Sequence, residues 1–317
     1  KKLKIFLYDI FMILKKFKNF QGIINFNVFY YGDVELQKIS KKLGVKFFSI
    51  HKEALKPPLY LKYFKWIYKN TANKFYGTKI LTYNDFEKKL MVDGKVAPKN
   101  KIKVIGMPRL IKSFDLVKDH DNSKNKKIIL YSSLFRKLPY FKNPYYKKPK
   151  HKIFENKSDL NFNEIQEKTL ILLSKFLDKN QNARVTLKVR VGHEKLFEKK
   201  SIHKRMDVVK GGSGHDLLKN HDIVFAFNST IILEALAAKK IVFCPFQNIK
   251  SAELFKFINL TISSNSERFI LKKLQNIYDN KNNINFTNQK AVSKVLNLYL
   301  RNNDKMAGKR LIKVINT

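Results

Sequence analysis

Apolar and polar positions along the chain follow two periods, and their alternation predicts the architecture. INFNVFYY (24–31) repeats every second residue and predicts a strand; Asp33 follows as the cap of a helix reaching about Lys42, Gly44 closes that helix, and VKFFSI (45–50) is the next strand. A helix with an aromatic face over 59–75 leads to a strand at KILTYN (79–84), a helix over 85–91 and a strand at KIKVIG (101–106). Strand and helix in turn imply parallel strands joined by crossover helices. SFDLVKDHDNSKNKK (113–127) is polar and has no sustained period, so it reads as the joint between two domains, with 116–126 as the linker.

The pattern restarts with a strand at KIILYSS (127–133). A loop, RKLPYFKNPYYKKPKHK (136–152), precedes a helix over 162–178 and strands at 184–190 and 206–209. A GGSG turn (211–214), a small helix over 215–219, a strand at 222–227, a helix over 229–238 and a strand at 240–243 follow; helices near 265–279, 287–300 and 303–314 complete the chain. No repeat of solenoid period is present. The expectation is two successive open α/β sheets, one within 1–115 and one within 127–317, in keeping with the two-domain prior for 317 residues.

Composition changes this picture in one respect. Hydrophobic residues make up 44% of the chain and aromatics 13%, enough for folded cores, but 65 basic residues against 25 acidic give a net charge of +40. An anionic partner would explain that excess. So would a coding bias toward lysine, since only eight of the basic residues are arginine and Asn, Ile and Phe are also abundant. Charge alone therefore assigns no function. The single cysteine, Cys244, has no internal disulfide partner and sits in the apolar run IVFCPF, which reads as core and suits a reducing compartment. The opening KKLKIFLYDIFMILKKFKNF has too short an apolar block, interrupted by Asp9, for a signal peptide or a membrane span. It predicts an amphipathic helix, either packed in a core or lying on a membrane surface. The chain opens on Lys rather than Met, so further sequence is expected before residue 1.

Candidate chemistry concentrates in VFAFNSTIILEALAAKKIVFCPF (224–246), where a buried strand meets a polar triplet and a helix carrying one carboxylate. In open α/β sheets ligands bind outside the carboxyl ends of strands. Asn228, Ser229 and Thr230 would place hydroxyls, amides and a helix N-terminus there, as a phosphate seat, and Glu234 one turn on can accept from ribose hydroxyls. An ordinary helix cap with a dipole-favoured glutamate has the same spacing.

This strand, turn and helix resembles the donor-binding element of GT-B glycosyltransferases of bacterial surface polysaccharide synthesis. FNVFYYGDVELQKISKKLGVKFFSIHKEA (26–54) and PKNKIKVIGMPRLIKS (98–113) are similar to the N-terminal half of surface carbohydrate biosynthesis proteins, through His51-Lys52-Glu53 after a strand and the Gly106-Met107-Pro108-Arg109 turn before the linker. The resemblance implies an α/β, GT-B-like fold, two Rossmann-like domains facing across a cleft. Residues 1–115 would be the acceptor-side domain, with fewer strands before residue 44 than is usual, and 127–317 the nucleotide-sugar domain.

His51 and Glu53 fall at the carboxyl end of a predicted strand and on one side of an extended chain. There Glu53 can act as general base on an acceptor hydroxyl, or as nucleophile in a retaining reaction, with His51 orienting it or the acceptor. A surface ion pair of Glu53 with a lysine is the competing reading. On the donor side, Ser132 and Ser133 end one strand, and Lys188, Arg190 and His193 end or follow another, where cations can neutralise a diphosphate leaving group. Arg109 and Arg136 are the acceptor or cleft candidates. The loop 136–152 interleaves tyrosines with cations, as a lid over the ligands or as a lysine-rich insertion. No Asp-x-Asp, His-Glu-x-x-His or cysteine cluster is present, so no metal and no cofactor beyond the nucleotide-sugar donor is expected. GGSG lacks the dinucleotide and P-loop spacings and reads as a turn.

The expected activity is metal-independent transfer of a sugar from a nucleotide-sugar to a growing surface polysaccharide or lipid-linked acceptor, at the cytoplasmic face of the membrane with peripheral contact to acidic lipid. A CDP-alditol polyol-phosphate transferase, a nucleotide-sugar epimerase and a non-catalytic scaffold of polysaccharide assembly are the alternatives. No helix-turn-helix, zinc-finger or RNP signature marks a nucleic-acid partner.

Overall fold

The computed structural model describes residues 2–17, 20–26, 28, 31–51, 61–70, 74–116, 127–131, 162–189, 197, 202–227, 229–246, 260–279, 289–301 and 304–317. These form two compact units. Unit 1 takes in Lys1–Pro108 and Asn297–Thr317; unit 2 holds the described residues from Arg109 to Leu296. The division differs from the sequence expectation at two points. Arg109 and the segment after it group with unit 2, and the last residues of the chain group with unit 1.

In unit 1 the strands β1 (Gly22–Asn25), β2 (Lys46–Ile50), β3 (Lys79–Thr82) and β4 (Ile102–Val104) lie in sequential order, all parallel. Helices α1 (Lys2–Leu14), α2 (Tyr31–Lys42), α3 (Leu61–Asn70) and α4 (Asp85–Asp93) belong to the same unit. Phe47, Ile80, Met91 and Ile102 are fully buried between these layers. The strand expected over 24–31 is shorter than its alternation implies, and α2 begins at Tyr31, ahead of its expected cap. Beyond β1 the Val28 carbonyl accepts from the Gln37 amide at 3.1 Å, a side chain of α2, instead of continuing a strand ladder. Asp33 consequently stands in the first turn of α2, where burial raises its carboxyl above the ordinary value of 3.8 against a lowering hydrogen bond with Asn25.

Among the described residues unit 2 has five parallel strands: β5 (Ile128–Tyr131), β6 (Val185–Val189), β7 (Met206–Lys210), β8 (Ile223–Phe225) and β9 (Ile241–Phe243). Their order is β7-β6-β5-β8-β9. The chain enters at the centre, builds outward to β7, then crosses back to lay β8 on the other side of β5. That reversal is a topological switch point between β5 and β8. The central strands β5 and β8 are continuous apolar runs, buried at every residue because a parallel sheet is covered on both faces; Phe225 and Phe243 stack with centroids 4.6 Å apart, and both are wholly buried. Cys244 is buried as expected, and its thiol is pushed up to about 12 by loss of solvent.

The helices of unit 2 are α5 (Leu110–Asp115), α6 (Phe162–Lys179), α7 (Gly214–Leu218), α8 (Ile231–Ala237), α9 (Glu267–Asp279) and α10 (Gln289–Leu300), the last turn of α10 being assigned to unit 1; α11 (Ala307–Ile315) belongs to unit 1. The polar pattern that starts at Ser113 concealed α5. Its Leu110 and Ser113 are buried, and α5 packs against α8. Tertiary burial of two side chains, rather than helical periodicity, holds this six-residue helix. Among the described residues no helix is long and apolar enough to cross a membrane.

Candidate functional site

The carboxyl ends of β5 and β8 carry a cluster of polar side chains at the switch point. After β8 the chain passes through Ala226 and Phe227, both fully buried, to Ser229, whose hydroxyl accepts from the Ile231 amide at 3.4 Å, and Thr230, which opens α8. Every residue of α8 is buried, Glu234 included, with 3% of its surface exposed. A carboxylate so far from water requires compensation. Arg109, the residue before α5, supplies it: its Nη2 lies 2.9 Å from Glu234 Oε1 and donates to Thr230 Oγ1 at 2.8 Å. The other oxygen, Oε2, lies 3.4 Å from Nδ1 of His215, which is also 3.3 Å from Ser113 Oγ.

His215 reaches this position through the GGSG turn. Gly211 and Gly212 hold φ of 65° and 68°, a left-handed pair that side-chain-bearing residues resist. Ser213 then caps α7, its hydroxyl accepting from the His215 amide at 3.2 Å. Gly214 lets β5 approach closely: the Tyr131 hydroxyl donates to its carbonyl at 2.5 Å, and a Cβ at this position would sit 3.1 Å from the Tyr131 ring. Burial, and then the charge of Glu234, push the Tyr131 phenol well above its ordinary value of 10.0, so it remains a donor.

Two groups of the cluster stay unspent. Nε2 of His215 is buried and meets no hydrogen-bond partner among the described residues. The Arg109 side chain is 42% exposed, and its remaining N–H groups have no partner among those residues. A guanidinium anchored on one side and open on the other suits a bound anion with planar, paired acceptors. Glu234 keeps lone pairs beyond the two contacts it makes.

The sequence candidates distribute as follows. Ser229, Thr230, Glu234 and Arg109 come together. Arg109, expected on the acceptor side, shares a site with the donor candidates. Lys188 lies near the end of β6, and its Nζ donates to the Gly211 carbonyl, which ties it to the GGSG turn. Ser132, Ser133, Arg136, Arg190, His193, Asn228, Lys52 and Glu53 lie outside the described residues, as do the lid loop 136–152 and most of the linker. His215, Ser113 and Tyr131 are not candidates from sequence; the one signal it offers for them is a histidine two residues after a cap serine.

His51 occupies a different setting, in unit 1. It follows β2, its amide donates to the Leu81 carbonyl at 2.8 Å, and its side chain is buried. Nε2 lies 3.3 Å from Oε1 of Glu87, which is 1% exposed and accepts from the Tyr68 hydroxyl at 2.7 Å. The Asn84 side chain caps α4 by accepting from the Glu87 amide at 2.7 Å. Glu87, the partner of His51, and Tyr68, which donates to Glu87, are not identified by sequence spacing.

No protein-family model matches the chain, and no curated protein matches it significantly by sequence. Solved structures do match. The wall teichoic acid polymerase TagF is 11% identical, with a TM-score of 0.57 over 93% of this chain and 72% of its own. The UDP-GlcNAc 2-epimerase of Neisseria meningitidis, bound to UDP-GlcNAc, is 10% identical, with a TM-score of 0.54 over 98% and 80%. MnaA of S. aureus, solved with UDP, is 11% identical, with a TM-score of 0.53 over 99% and 79%. At such identities the likeness speaks to fold: the chain is α/β and GT-B-like, built of two parallel-sheet units.

Proposed function

We propose that the protein is a nucleotide-sugar-dependent glycosyltransferase that extends a surface polysaccharide or lipid-linked glycan, with the donor nucleotide seated in unit 2 at the ends of β5 and β8. The observation that carries this reading is the Arg109–Glu234–His215 cluster at the switch point, half satisfied by its own members and half open. Arg109 meets the donor's diphosphate, Glu234 accepts from ribose hydroxyls, and Nε2 of His215 takes one further ligand hydrogen bond. As the bond to the anomeric carbon breaks, negative charge grows on the leaving phosphate, and a fixed guanidinium stabilises it more than it does the ground state. Glu53, with His51 beside it in sequence, is the proposed proton acceptor for the attacking hydroxyl. The likeness to solved structures whose names include UDP and UDP-GlcNAc supports a nucleotide-sugar as ligand.

Epimerisation of a nucleotide-sugar is the second reading, favoured by the near-complete coverage of this chain by structures of UDP-GlcNAc 2-epimerases. Incubation with UDP-GlcNAc and with other nucleotide-sugars separates the two. Transfer releases a nucleoside phosphate and requires an acceptor, or water as a slow substitute, whereas epimerisation changes the sugar with no acceptor present. Release of CMP together with phosphorus in the product would instead indicate polyol-phosphate transfer. Under the favoured reading Glu53→Gln lowers turnover about 10²–10⁴-fold and leaves donor binding intact; turnover within threefold of wild type would remove Glu53 from the mechanism.

A further inference from the structure

The mechanism leaves α1 unused, and α1 carries large apolar side chains on both of its faces. Leu7, Ile10, Phe11 and Leu14 turn inward, with Phe11 only 2% exposed and set edge-on to Phe20, ring centroids 6.4 Å apart. The opposite face holds, around the exposed Asp9, Ile5, Phe6, Met12 and Ile13, exposed by 57%, 60%, 42% and 57%, and Phe17 just past the helix is 62% exposed. An amphipathic surface helix would carry polar residues in these places. At 13 residues the helix is too short to cross a bilayer.

The charge around this face identifies its occupant. Residues 1–20 contain six lysines and one acid, Asp9. Lys4 is tied to the buried Glu35 at 3.2 Å and Lys15 to the Leu43 carbonyl at 2.8 Å, so cations are fixed near both ends of the helix, and Lys16 adds another exposed one. Apolar side chains rimmed by lysines match the acyl boundary and anionic headgroups of an acidic bilayer. We propose that α1 is a monotopic membrane-docking helix, which lies in the headgroup plane and inserts Phe6, Ile13 and their neighbours into anionic lipid. Exposed Asp9, at the middle of that face, sets the strength of docking below its maximum by repulsion from the same headgroups. This inference rests on unit 1 alone and is independent of the proposed reaction.

Vesicle co-sedimentation of the full chain tests it, with phosphatidylcholine alone and with phosphatidylcholine mixed equally with phosphatidylglycerol. The wild type binds the mixed vesicles and leaves the neutral ones in the supernatant. Phe6→Ser with Ile13→Ser, which alters only exposed side chains and is checked for fold by circular dichroism, weakens binding at least tenfold. Asp9→Asn strengthens it about fivefold, and Lys16→Glu weakens it by at least as much. Three results would overturn the proposal. In the first, the double variant binds as wild type does, so that adhesion is only the unspecific charge of the protein. In the second, Asp9→Asn weakens binding. In the third, gel filtration shows a wild-type dimer that the double variant dissolves, which makes the occupant a second copy of the chain.

Discussion

Each unit buries one glutamate in the first turn of a helix and sets an imidazole against it. In unit 1 this is Glu87 with His51, and in unit 2 it is Glu234 with His215. The third partner separates them. Glu87 is completed by a neutral hydroxyl, that of Tyr68, and its helix is capped by Asn84, whose amide in turn donates to the Tyr299 carbonyl at 2.6 Å. Glu234 is completed by a permanent cation that keeps a solvent-facing side. Sheet order sharpens the contrast: the strands of unit 1 run in sequence, whereas the order in unit 2 reverses between β5 and β8, where Glu234 sits. The same local arrangement therefore has two consequences. In unit 1 it ties a helix start into its surroundings, and at the switch point of unit 2 it leaves a cation ready for an anion.

The largest effect is expected from Arg109→Ala. It strands a carboxylate 4% exposed without its fixed cation, which costs about 3 kcal/mol of stability, at the low end for a broken buried pair because the guanidinium is itself partly in water. Nucleotide affinity falls at least tenfold in the same variant, and Arg109→Lys recovers stability better than affinity because the bidentate fork is lost. Chemical denaturation and calorimetric titration measure the two quantities separately. A variant as stable as the wild type would mean that Glu234 is satisfied without Arg109.

A smaller effect is expected in unit 1. Tyr68→Phe removes the 2.7 Å donor from buried Glu87 and costs about 1–3 kcal/mol, with nucleotide affinity unchanged. Loss of affinity without loss of stability would give the unit 1 cluster a ligand role as well. The smallest effect concerns His221, a buried imidazole whose nearby acid is Asp222. Its Nδ1–H donates to the Leu217 carbonyl at 2.6 Å and its Nε2 lies 2.8 Å from Thr186 Oγ1. Burial, outweighing that backbone hydrogen bond and the charge of Asp222, holds its pKa below the ordinary 6.5. The unfolded chain then binds the proton first on acidification, so the stabilising contribution is present above pH 6.5 and is lost as pH falls through the folded pKa. His221→Gln flattens the stability profile on the acid side of that value; an unchanged profile would show that other groups set it.

Much of the fold was legible because parallel strands buried on both faces are written as short apolar runs, as in KIILY and IVF, and because GGSG names its own turn chemistry. The differences share a physical cause. Alternation over 24–31 predicts too long a strand because it does not register a side chain such as Gln37 taking the Val28 carbonyl. Helix α5 has no signature in the sequence because two buried side chains hold it without a repeating pattern. Ser229, Thr230 and Glu234 were visible as a polar interruption between apolar runs, and Arg109 as part of a turn. That Arg109 reaches Glu234, or that His215 closes the cluster from the far side of β5, depends on pairings more than 100 residues apart in the case of Arg109 and Thr230. No local spacing encodes those.

Nucleotide is predicted to bind at the switch point of unit 2 and not at the similar cluster of unit 1, and a paired calorimetric titration distinguishes the two. The ligand is whichever of CMP, CDP, UDP and GDP most raises the melting temperature of the wild type, since binding to the folded state alone stabilises it. Glu234→Gln and Glu87→Gln are then titrated with it side by side. Glu234→Gln is predicted to weaken binding at least tenfold and Glu87→Gln to leave it within twofold of wild type. Equal loss in both variants, or loss in Glu87→Gln alone, would contradict the assignment.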